Sequence, residues 1–140
     1  DIVNTLCMAL ALTILTTTLF HTVSASPDFF EDYDEDSGPG WMLYAYVSGE
    51  TPNLLPYFEW VYHEADRYAS GSIVYADYLY MRCITSEYDF ILIVDADGVA
   101  YLSDYGEYWY YAGTQSWTWF RDQSSGIEWY AEAVAEIIPC

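Results

Sequence analysis

Hydrophobic and polar positions divide the chain into an apolar run, an acidic run and an aromatic-rich remainder. Between Leu6 and Phe20 there is no charged residue, no Gly and no Pro. Leu6, Leu10, Leu12, Ile14, Leu15, Leu19 and Phe20 fall all round a helix rather than along one stripe. Such a helix is buried on every side, in lipid or in protein. At about 1.5 Å per residue, the stretch from Ile2 to Ala25 reaches roughly 36 Å, enough to cross a bilayer. Residues 1–26 are therefore expected as a hydrophobic helix, either a membrane anchor or the core of an assembly.

The pattern changes at Ser26-Pro27. Asp28, Glu31, Asp32, Asp34, Glu35 and Asp36 follow within nine residues, and their mutual repulsion predicts a solvated linker over 27–40. Residues 41–140 are expected as one domain. Trp41–Val47 alternates as a strand with Trp41, Leu43, Ala45 and Val47 on one face. Leu54–Ala69 has helical spacing through Phe58, Val61, Tyr62 and Ala65, with Pro56 in the first turn and Gly71 as the stop. Ser72–Ser86 fits a helix or a strand, with helix preferred. Phe90–Val94 and Val99–Ser103 predict a hairpin about Asp95-Ala96-Asp97-Gly98. Glu107–Tyr111 reads as a strand, and Gly126–Ile138 as a helix through Ile127, Tyr130, Ala131 and Val134. The expected fold class is α+β: an N-terminal hydrophobic α-helix, then a small domain with an antiparallel β-sheet and two or three helices.

Charge changes the choice of partners. The formal net charge is −19, from 22 Asp and Glu against three Arg and no Lys. Nothing is available to neutralise phosphates, so nucleic acid is excluded as a partner. The same balance favours solubility at high ionic strength and an extracellular or cell-surface setting.

Candidate chemistry is sparse. Asp32 and Asp34 in the acidic run, and Asp95 and Asp97 in the turn, are the candidate ligands of a weak divalent-cation site. No other cofactor is expected. His63-Glu64 opens like a zinc-protease motif, but Arg67 occupies the position of the second ligand, so His63 reads as a surface or interface residue. Cys83 and Cys140 are candidates for a disulfide in an oxidising compartment. Tyr108, Trp109, Trp117, Trp119 and Phe120 crowd into thirteen residues as candidate core, interface or ligand aromatics. No nucleophile, base and orienting group are brought together by any motif, so an enzyme is not expected.

The N-terminal run supports three readings. Val23-Ser24-Ala25 suits a signal-peptidase site. The run also suits a membrane anchor. It further resembles the N-terminal helix of mature type IV pilins and their archaeal relatives, whose hydrophobic segment survives processing, resides first in the membrane and then packs into a filament core. Farther on, YDFILIVDADGVAYLSDYG and AGTQSWTWFRDQSSG resemble the Cache family of extracytoplasmic sensory domains over residues 88–122. Gly113, Ser116, Trp119 and Phe120 match the segment that lines a small-ligand pocket there. Together these lead to the expectation of a structural subunit of a pilus-like extracellular filament. It would assemble with copies of itself and be held in the membrane beforehand. The alternative is a membrane-anchored Cache-like sensory domain.

Overall fold

The computed structural model describes residues 27–53, 55–75, 78–95 and 99–139. They form nine strands: β1 (Asp28–Gly38), β2 (Trp41–Thr51), β3 (Tyr57–Ala69), β4 (Ile73–Tyr75), β5 (Leu79–Thr85), β6 (Asp89–Val94), β7 (Ala100–Trp109), β8 (Ala112–Asp122) and β9 (Glu128–Ile137). The fold is all-β, two antiparallel sheets with no helix among the described residues, and the α+β expectation is corrected accordingly. One sheet runs β1-β2-β3-β7. In the other, β8 is flanked by β9 on one side and by β4 and β5 on the other, with β6 beyond β5.

Each corrected element has a local reason. The helix expected over 54–69 is strand β3, whose inward row is Phe58, Val61, His63, Ala65 and Arg67. Two polar side chains in that row disguise the alternation, while Phe58, Val61 and Ala65 also satisfy a helical spacing. The segment 72–86 supplies β4 and β5, and Leu79, Met81, Cys83 and Thr85 point inward at alternate positions. The helix expected over 126–138 is β9. Its Ala131, Ala133 and Ala135 are fully buried and alternate with exposed Glu132, Val134 and Glu136. Alanine favours helices in isolation, but here its small size serves close packing of the sheets. The acidic stretch expected as a linker is β1. β6 and β7 do not form the expected hairpin: β6 pairs with β5 and β7 with β3, in different sheets. The expectations for β2 and β6 agree with the strands found, and the Gly38-Pro39-Gly40 turn joins β1 to β2 with Gly40 at φ 78°. The apolar run 1–26, with its pilin-like assembly residues, lies outside the described residues.

The core lies between the sheets. Leu43, Ala45 and Val47 of β2 and Phe58, Val61 and Ala65 of β3 meet Leu79, Met81 and Cys83 of β5, Phe120 of β8 and the β9 alanines. Small hydroxyls also lie inside. Ser116 Oγ donates to the Tyr44 carbonyl at 3.0 Å, and Arg67 Nη1 donates to Thr118 Oγ1 at 2.9 Å. The Arg67 guanidinium lies over the Tyr75 ring, 4.1 Å from its centroid.

The acidic run closes one side of the sandwich. Asp32, Asp34 and Asp36 stand opposite Val47, Ala45 and Leu43 in the β1–β2 register, so they point toward the interior side. There they meet the edge of β9. Asp36 Oδ2 accepts from the Glu132 backbone N–H at 3.3 Å, Asp34 Oδ2 from Val134 at 3.0 Å, and Asp32 Oδ2 from Glu136 at 3.0 Å. Alternate carboxylates thus match alternate edge amides, which would otherwise need water or another strand.

Candidate functional site

The turn after β5 and the second half of β7 build one concave site. Thr85 shapes the turn: its N–H donates to the Tyr88 carbonyl at 2.9 Å, and its Oγ1 accepts from the N–H groups of Glu87 and Tyr88 at 3.1 and 3.3 Å. Ser86 Oγ then accepts from the Trp109 N–H at 3.0 Å, tying the turn to β7. On β7 a bulge sets Gly106 and Glu107 against the single residue Glu59, since Tyr105 pairs with Trp60 and Tyr108 with Phe58. A Cβ on Gly106 would lie 2.9 Å from the Tyr108 ring, so the glycine lets that ring fold back along its own strand. Its hydroxyl thereby reaches Asp104 Oδ2 at 2.5 Å.

The resulting cleft has a volume of about 490 Å³ and is lined by Glu87, Tyr88, Asp104, Gly106, Glu107, Tyr108 and Trp109. Three carboxylates and three aromatic rings face it, with no basic side chain in the lining. Trp109 Nε1 donates to Glu107 Oε1 at 2.6 Å, and the Tyr88 and Tyr108 rings meet edge to face at 5.7 Å. Immediately beyond Trp109 the chain crosses between sheets through Tyr110, at φ 73°, with Tyr111 N–H donating to the Trp109 carbonyl at 2.9 Å. A non-glycine residue there stores backbone strain beside the cleft.

Beneath the cleft lies His63, fully buried rather than at the surface or an interface as expected. Burial pushes its pKa down to about 4, against a smaller opposing contribution from a hydrogen bond to the Gly113 backbone. The imidazole is therefore neutral, and both ring nitrogens are engaged: Nδ1 lies 2.8 Å from Thr114 Oγ1 and Nε2 lies 2.8 Å from the Tyr88 hydroxyl. Burial, and then the neighbouring Tyr108, raise the Tyr88 pKa and keep this phenol protonated. Burial, then the bond to Asp104, likewise raises that of Tyr108. With both nitrogens engaged and no exposure, His63 positions Tyr88 and is not offered to solvent as an acid or base.

The structure separates the aromatic residues grouped by sequence. Tyr108 and Trp109 line the cleft. Trp117 and Trp119 lie on the outer face of the second sheet: Trp117 stacks on Tyr80 at 5.3 Å, and Trp119 meets Tyr130 edge to face at 5.3 Å. Phe120 is fully buried against Trp41, 5.1 Å between centroids. The four residues matched to the Cache pocket all lie along β8, with Ser116 and Phe120 inside the sandwich and Trp119 on its outer face. Split between the two faces of one strand, they do not form a single lining, and that resemblance is corrected together with the pilin-like helical fold. Asp32 and Asp34 bind backbone amides of β9, Asp95 follows β6, and Asp97 lies outside the described residues. Among the described residues, no three His, Cys, Asp or Glu side chains converge as metal ligands. Cys83 is a buried free thiol whose pKa burial pushes up to about 12, and Cys140 lies outside the described residues.

Glu87, Tyr88, Asp104 and Glu107 were not among the sequence candidates. The available signal was Thr85 closing a tight turn and Gly106 interrupting a strand. Neither reveals that the two segments meet across the sandwich. No protein-family model matches the chain, and neither the curated proteins nor the solved structures compared with it gave a match.

Proposed function

We propose that this domain is an extracytoplasmic binding module that captures an organic cation, an ammonium or guanidinium group, in the β7 cleft. The carrying observation is the lining itself, carboxylates interleaved with aromatic rings. Ring faces attract cations through their quadrupole, and carboxylates add charge-assisted hydrogen bonds or ion pairing. The volume falls in the range of small-ligand sites. Tyr88 and Tyr108 are held by His63 and Asp104, so the aromatic walls are set before a ligand arrives. The acidic surface adds long-range attraction for a cation.

Calorimetric titration of the folded protein with choline, arginine and the neutral choline isostere 3,3-dimethylbutanol tests the reading. A cation should bind and the neutral isostere should not. Asp104→Asn with Glu107→Gln should weaken binding by roughly tenfold or more, about 1.4 kcal/mol. Equal binding of the isostere, or no cation binding at low ionic strength, would overturn it.

A further inference from the structure

The strand edges of this molecule are treated unequally. β1 and β9 face each other through the aspartate row. β4 is only three residues long. β7 is broken by the bulge at Gly106-Glu107. Each of these devices blunts an edge against pairing with another chain. β6 has none of them. It pairs with β5 in an unbroken register from Asp89 to Val94 and has no Pro, Gly, Lys or bulge. Among the described residues its other edge pairs with no strand. Ile91 and Ile93 are 50% and 61% exposed on its outer face.

We infer that β6 is a self-association edge, at which two copies of this chain pair antiparallel and join their second sheets into one. The occupant follows from sequence and charge. A two-fold axis near the middle of the strand sets isoleucine against isoleucine outside and Phe90, Leu92 and Val94 against one another inside, so the strand complements itself. Two molecules of charge −19 repel over most of their surfaces. Beside β6, however, Asp89 is neutralised by Arg82 through bonds of 2.8 and 2.6 Å. Of the two carboxylates that flank Phe90–Val94, Asp89 is thereby compensated, and Asp95 is left to screening by salt. Six residues of edge bury less than a permanent dimer requires, so the association is weak, reversible and strengthened by salt. It is independent of the cation cleft.

Hydrogen–deuterium exchange on the full chain at low and high protein concentration, with sedimentation equilibrium, tests this. Protection of β6 amides should rise with concentration and with NaCl, in step with a dimer. Ile93→Lys or Ile91→Lys, at exposed sites that leave the core untouched, should weaken the dimer at least about tenfold, while Ile127→Lys, a control elsewhere on the surface, should not. Three outcomes would overturn the inference. One is a monomer whose β6 amides exchange freely at high concentration and salt. Another is protection of β6 that does not depend on concentration, meaning that the same chain covers it. The third is association that persists unchanged in both lysine variants.

Discussion

His63 shows how a polar side chain is accommodated between two sheets. Its folded pKa of about 4 lies below the ordinary value of 6.5, so between those pH values the unfolded chain binds the extra proton. The stability contributed by the neutral form is present above pH 6.5 and is lost as pH falls toward 4, amounting to roughly 3 kcal/mol. Many carboxylates titrate in the same window, so the measurement is a difference. Urea unfolding of the native protein and of His63→Gln should converge as pH falls from 6.5 to 4, the native protein losing more. Parallel curves would place His63 in a solvated environment. At Tyr110 the strain is in the backbone. Tyr110→Gly removes the cost of a positive φ and loses a ring that is half exposed, so it should stabilise the fold by about 1 kcal/mol, read as a higher urea midpoint.

Among the elements, the seam between β1 and β9 makes the sharpest prediction. Asp34→Ala leaves the Val134 amide without its acceptor and should cost roughly 1 kcal/mol, with faster exchange at Val134. Asp34→Asn keeps an acceptor oxygen and should lose less. An unchanged exchange rate in the alanine variant would show that the carboxylate does not hold that amide. The aspartate spacing was visible in the sequence as an every-second-residue pattern. Its meaning was not, because charge repulsion alone favours solvation, and only the β9 amides, about a hundred residues away, reverse that preference. β2 was legible from Trp41 to Val47, and β6 along its length, because the inward rows there are apolar. β8 inverts the usual rule: Thr114, Ser116 and Thr118 point inward and Trp117 and Trp119 outward. The inward hydroxyls are small and share the interior with the β9 alanines, while the two indoles find ring partners on the outer face, Tyr80 for Trp117 and Tyr130 for Trp119. The cleft was illegible for a related reason, since its two halves come from opposite sheets and share no local motif. Gly106→Ala should displace the Tyr108 ring and weaken cation binding, whereas a change in stability alone would separate the bulge from the site.

For the whole molecule, charge sets the response to the medium. With a charge of −19, stability should rise with NaCl, most of the gain arriving below roughly 1 M, as the Debye length shrinks from about 30 Å at 0.01 M to about 3 Å at 1 M. A melting temperature that stays constant across this range would mean that the carboxylates are already compensated within the fold.

The seam also governs how the molecule answers to force. Asp32 lies beside Glu136 and Asp36 beside Glu132, so β1 and β9 run in opposite directions, and residues 27 and 139 emerge at the same end. A load applied between those two residues acts across the seam, on one carboxylate–amide bond at a time. Such a geometry peels. In a single-molecule pulling experiment, attachment at residues 27 and 139 should open the sandwich at low force, as a zipper, with the β1–β2 and β8–β9 ladders yielding only afterwards. Attachment that draws β1 and β2 lengthwise past each other loads many backbone bonds in parallel and should require a markedly higher force. The aspartate row is then the compliant joint of an otherwise stiff body, and replacing its members by alanine should lower the first rupture while leaving the later ones in place.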